Sequence, residues 1–157
     1  MNMEARTTGA TIDTVKSVSV KILEGSINIR NVKGGVKAET HQGDVMLESS
    51  NGQIALQTTT GNIVAFDVNP GDIGDLLKAK TSSGTISLQR VSHRQIEANS
   101  ITGSVNFNGS FLTGGIYNFK TSNGSIRMQL PEKSSCTISA SFGFGTFNYA
   151  GMPFEII

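Results

Sequence analysis

"YNFKTSNGSIRMQ", Tyr117 to Gln129, repeats the grammar of "LKAKTSSGTISLQ", Leu77 to Gln89, position by position. In each, apolar residues stand seven and five before a Gly, a Thr stands three before it, and apolar residues follow at two and four after it. The same apolar frame recurs at Gly25, Gly43, Gly61, Gly84, Gly103, Gly124 and Gly145, at spacings of 18, 18, 23, 19, 21 and 21 residues, with Thr or Ser three before each anchor except at the ends, where Ile22 and Phe142 stand. Gly34 and Gly52 add a secondary anchor midway through the first two intervals.

Columns taken relative to these anchors are uniform. Two residues after come Ile27, Val45, Ile63, Ile86, Val105, Ile126 and Phe147, and four after come Ile29, Leu47, Ala65, Leu88, Phe107, Met128 and Tyr149. Seven before stand Val18, Val36, Ile54, Leu77, Ile96, Tyr117 and Ile138, and five before stand Val20, Ala38, Leu56, Ala79, Ala98, Phe119 and Ala140. All 28 positions are apolar, where a composition of 37% apolar residues would give roughly ten. The positions six and four before the anchor are polar, with Ala55 the exception. Strict alternation marks a strand with one face in a core and one in water. The parity changes across each Gly, so a corner belongs there, where Gly accepts backbone angles that other residues avoid.

An antiparallel meander has no reason to hold one residue class at one offset over seven turns. A parallel solenoid does, because each coil lies on the last and like positions become ladders. The column three before the anchor, Thr40, Thr58, Thr81, Ser100 and Thr121, supports stacking, since hydroxyls at a corner can bond the backbone groups that the turn leaves unpaired. The sequence therefore predicts an all-β, single-chain parallel β-solenoid of about seven coils of 18–23 residues. One domain covers 1–157, with 1–17 as an N-terminal cap or lead-in, 18–149 as repeat coils and 150–157 as a tail. Aspartate at Ile86 or Ile126 should cost several kcal/mol as a buried charge without a partner. A change at Lys80 should cost little.

Composition narrows the function. A net charge of +1 argues against a nucleic-acid partner. There is no apolar run of the ~18 residues that a membrane helix requires, and the polar opening "MNMEARTTGATIDTVKS" contains no export signal, so any such signal would lie outside this chain. The single Cys, Cys136, excludes an internal disulfide and a Cys-based zinc site, and shares the inward parity of Ile138.

Two segments break the repeat: "DVNPGDIGDL", Asp67 to Leu76, and "FNGSFLTGG", Phe107 to Gly115. Asp67, Asp72 and Asp75 could offer oxygens to calcium, but their spacing follows neither the twelve-residue helix–loop–helix pattern nor the calcium-binding nonapeptide repeat, and reads as a solvated turn. His41 and His93 have no second ligand at metal spacing and read as surface side chains. A β-helix enzyme acting on acidic polysaccharide would need stacked carboxylates on one face. Instead Glu39 stands between Lys21 and Gln57 in its column, and Glu97 between Lys78 and Asn118. Lys21, Lys37, Lys78, Lys80 and Lys120 share that face, which could attract a polyanion. "TTTG", Thr58 to Gly61, is the only place with Thr at both alternate positions, too little for an ice-binding array. The apolar ending "SFGFGTFNYAGMPFEII" implies that the chain continues or that this tail covers the stack. No catalytic, cofactor-binding or metal-binding residue is assigned.

"LLKAKTSSGTISL", "YNFKTSNGSIRMQLP" and "IALQTTTGNIVAF" resemble the adhesin-type β-strand repeat family of bacterial envelope-associated proteins, over roughly Val18 to Phe147. The resemblance implies a right-handed β-helix, an extracytoplasmic or cell-envelope setting, and no catalysis or cofactor. It supplies no site residues. The function expected is a non-enzymatic, adhesin-like envelope module that presents loops or a strand face to a protein or glycan. The alternatives are a self-assembling scaffold similar to the bactofilin polymers, associating end to end, and a polysaccharide-acting enzyme.

Overall fold

A computed structural model describes residues 1–71 and 74–131. The inward columns at Gly145, Cys136 and Asp72 fall outside the described residues. In chain order the strands are β1 (Asn2–Thr7), β2 (Ala10–Asp13), β3 (Val18–Glu24), β4 (Ile27–Arg30), β5 (Val36–Gln42), β6 (Val45–Glu48), β7 (Ile54–Thr60), β8 (Ile63–Val68), β9 (Leu76–Ser83), β10 (Ile86–Val91), β11 (Gln95–Thr102), β12 (Val105–Gly109), β13 (Ile116–Asn123) and β14 (Ile126–Gln129). Odd-numbered strands form one seven-stranded sheet and even-numbered strands the other. Every pairing within them is parallel. The chain is a parallel β-solenoid.

Register explains the columns. Val36 lies beside Ile54 and Ile54 beside Leu77, and across the core Val45 lies beside Ile63 and Ile63 beside Ile86. Alternate residues of β5 through β12 are buried, and the buried set forms one continuous core between the sheets. Each Ile or Leu taken wholly out of water contributes about 1.5–3 kcal/mol. Among the described residues β14 is the last strand of its sheet and pairs only with β12. Ile126 is consequently 40% exposed, and the full penalty expected for aspartate there does not apply.

The anchor corner is satisfied group by group. Each anchor N–H donates to the carbonyl one residue before the next anchor, as Gly43 does to Thr60 and Gly61 to Ser83, both at 2.9 Å. Each anchor carbonyl accepts from the hydroxyl column: Thr40 on Gly25 (3.0 Å), Thr58 on Gly43 (2.9 Å), Thr81 on Gly61 (3.1 Å), Ser100 on Gly84 (2.9 Å) and Thr121 on Gly103 (2.8 Å). One residue further on, the side-chain oxygens of Asp44 and Asn62 accept the backbone N–H of Asn62 and Thr85 at 2.7 and 2.9 Å. These bonds give partners to the backbone groups that the turn would otherwise leave unpaired, and to the buried hydroxyls of Thr40, Thr58, Thr81 and Ser100. The anchors must also be glycine for a second reason: a Cβ on Gly61 would overlap the carbonyl oxygen of Gly43.

A second corner was not visible from the glycines. Thr14, Asn31, Ser49, Asp67 and Arg90 occupy one column with φ of 54°, 54°, 49°, 52° and 51°, the left-handed region that Asn and Asp tolerate best among residues with a Cβ. That bend turns the following residue inward, so Val32, Ser50, Val68 and Val91 are buried. Ser50 meets the requirement of a buried hydroxyl by accepting from Val32 N–H (3.2 Å) and donating to Glu48 O (2.9 Å).

Residues 1–17 are more than a lead-in. β1 pairs with β3 and β2 with β4, which makes them a coil in register with the rest. It was hidden because Thr8, not Gly, stands at the anchor level, where Gly25 packs on Thr8 and Gly9.

Candidate functional site

The outward face of the odd-numbered sheet carries five of the eight lysines, Lys21, Lys37, Lys78, Lys80 and Lys120. Parallel register sets Lys37 beside Ala55 and Ala55 beside Lys78, and in the next column Glu39 beside Gln57 and Gln57 beside Lys80. Ala55 is the short side chain in a row of long ones. Its methyl leaves a shallow open groove walled by Lys37, Glu39, Gln57, Lys78 and Lys80. Lys37 and Lys78 lie two rungs apart, about 9–10 Å along the stack at the usual strand spacing.

Ion pairing leaves this groove positive. Glu39 faces Lys21 at 3.3 Å and Glu97 faces Lys78 at 3.5 Å, both between neighbouring coils and both exposed. Lys37, Lys80 and Lys120 have no acidic partner within ion-pair distance among the described residues. Three ammonium groups and one carboxylate therefore border the groove. Exposed pairs of this kind contribute little to stability, so the lysines are free to reorient toward an anion.

The remaining residues singled out in the sequence are placed differently. Asp67 is gripped by Arg90, whose Nη2 donates to Oδ2 at 2.7 Å while its guanidinium lies 4.0 Å over the Phe66 ring. Asp75 accepts the Arg94 N–H at 2.8 Å and faces its guanidinium at 3.9 Å. The two acids thus serve separate arginines of the following coil. His41 is exposed.

His93 corrects the surface reading: it is fully buried. Its Nε2 lies 2.7 Å from the Gly52 carbonyl, so Nε2 carries the proton, and Nδ1 has no partner among the described residues. Gly52 precedes the 23-residue coil and His93 follows it, so the ring spans that coil's level beside the Asp67–Leu76 insertion. Burial lowers the imidazole pKa, opposed by the Gly52 bond and by the charge of Asp75. Sealed from solvent, the ring is a structural pin rather than an acid or base for a substrate.

The second irregular segment closes on itself through Phe111, which the columns did not reveal, packed against two inward column rings, Phe107 and Tyr117. Phe111 stacks on Tyr117 at 4.1 Å and on Phe107 at 5.3 Å. The Tyr117 hydroxyl accepts from Leu112 N–H at 2.7 Å and donates to His93 O at 3.2 Å. Phe111 lies outside the repeat frame, and only its aromatic character hinted at burial.

No family model, curated protein or solved structure matches this chain. No helix among the described residues is long and apolar enough to cross a membrane.

Proposed function

We propose that this chain is a non-enzymatic, adhesin-like binding module of the cell envelope, which holds a lysine-bordered strand face out to an acidic surface glycan. The observation that carries this reading is the groove over the half-buried Ala55, which Lys37, Lys78 and Lys80 border with Glu39 as the one acid in its wall. Parallel stacking fixes the rung spacing, so the backbone beneath these cations is pre-organised and binding orders only side chains. Clustered charge of one sign raises the local concentration of an opposite polymer. The repeat grammar's resemblance to envelope-associated adhesin repeats supports the extracytoplasmic setting. A polysaccharide-acting enzyme is the weaker reading, because Glu39 and Glu97 are held by lysines rather than facing each other across a cleft.

The test is retention on immobilised polygalacturonate against neutral dextran. Retention on the acidic polymer only, weakened by salt and abolished by the triple variant Lys37→Ala, Lys78→Ala, Lys80→Ala, is the expected result. Equal behaviour on the two polymers, or a triple variant that binds as the parent does, overturns the proposal.

A further inference from the structure

Both sheets end on the same side of the stack, β1 closing one and β2 the other, and neither strand has a second neighbour among the described residues. The direction of the free backbone groups follows from the register. Ser19 N–H donates to Met1 O at 2.8 Å, and Asn2 is the register partner of Ser19. In a parallel ladder alternate residues face opposite edges, so the N–H and C=O of Asn2, Glu4 and Arg6 point away from β3. The same alternation on β2, where Ala10 N–H donates to Ser26 O and Thr14 N–H to Arg30 O, sends the groups of Thr11 and Asp13 outward. Such an edge is a template for another strand unless proline, a bulge or like charges block it. β1 reads Asn-Met-Glu-Ala-Arg-Thr, with no proline and no register shift against β3.

Its exposed charges are of opposite sign. Glu4 and Arg6 are two residues apart, on the same face of the strand, and both are solvent-exposed. Two such strands laid antiparallel about a two-fold axis at Ala5 set Glu4 of each copy directly opposite Arg6 of the other. Both are edge-facing residues, so each of these positions is a hydrogen-bonded pair in the new ladder. An axis normal to the sheets brings β2 against the β2 of the second copy in the same operation. We infer that the β1–β2 end of the solenoid is a head-to-head docking surface for a second copy of this chain, closed by two reciprocal Glu4–Arg6 ion pairs. The contact is isologous and stops at a dimer. It does not depend on the glycan-binding reading, whose lysines lie on a strand face rather than on this edge.

Sedimentation velocity of the full chain over a range of concentrations tests it. The expected result is a reversible dimer of twice 16.6 kDa. Glu4→Arg or Arg6→Glu alone sets like charges opposite each other twice and should raise the dissociation constant roughly tenfold. The double swap, Glu4→Arg with Arg6→Glu, restores the pairing and the parental constant. Reversal of Glu39, on the strand face, should leave the dimer unchanged. A monomer at every concentration, assembly that grows beyond two copies, or a dimer indifferent to the single swaps overturns the inference.

Discussion

Gly61→Ala isolates what the glycine column contributes. Gly61 has φ of +148°, and a methyl there would meet the carbonyl oxygen of Gly43 in the coil before it. Holding alanine at such an angle costs about 1–3 kcal/mol. The overlap adds to this, because relieving it means parting two coils at their tightest rung. The bonds at risk are those joining the two coils that would part, the Gly43 N–H to Thr60 O at 2.9 Å and the Thr58 hydroxyl to Gly43 O at 2.9 Å, each contributing about 1 kcal/mol. The total is about 3–5 kcal/mol. Gly114 is the control, since its φ is +74° and nothing lies within 4 Å of a Cβ built there. Gly114→Ala should therefore cost only the backbone penalty, about 1 kcal/mol. Urea unfolding followed by circular dichroism reads the two losses, with hydrogen exchange at the Gly43 amide, which donates to Thr60 O, reporting whether the rung opens. Equal losses at the two positions would show that glycine is required for its angles alone, and the stacking argument would fail.

Two further substitutions examine the core and the buried histidine. Ile86→Asp should cost several kcal/mol in the same assay, whereas Lys80→Ala on the outward face should change stability by less than about 0.5 kcal/mol; comparable losses would contradict the inward and outward assignment. His93 has a folded-state pKa below its ordinary 6.5, lowered by burial and opposed by the Gly52 bond and the Asp75 charge, so stability is fully present above about pH 6.5 and is lost as pH falls below it, where the unfolded chain takes up a proton that the folded chain resists. His93→Gln should remove that part of the acid slope in urea titrations between about pH 8 and pH 5, and an unchanged slope would count against the buried neutral ring.

The columns were legible because a parallel ladder imposes the same environment at the same offset in every coil. Val36, Ile54, Leu77 and Ile96 answer one question, so their agreement separates signal from chance. The hydroxyl column was legible for the same reason, and its partners are the anchor carbonyls. Where the environment is not repeated, the sequence was silent. His93 has no counterpart in the preceding coils, because the bond it makes to Gly52 exists only beside the insertion. The left-handed column at Thr14, Asn31, Ser49, Asp67 and Arg90 escaped notice for a different reason. Its requirement is a backbone angle, which five different side chains meet in different ways. The first coil was missed because Thr8 replaces the glycine on which the frame was built.

This division bears on where function resides. Residues that obey the inward columns serve the stack, and their identity follows from volume and from the corner's hydrogen bonds. The outward columns are under no such constraint, since a lysine, glutamine or alanine there leaves the ladder equally intact. Ala55 illustrates the point: buried rungs require an apolar residue, but nothing in the fold asks for one between Lys37 and Lys78 on the solvent side. The same holds for Glu4 and Arg6 at the edge, whose opposite charges stabilise no contact described within a single copy. Features that the fold does not demand are the ones to examine for a partner, and on this chain they fall in two separate places, a cationic strand face and a self-complementary end.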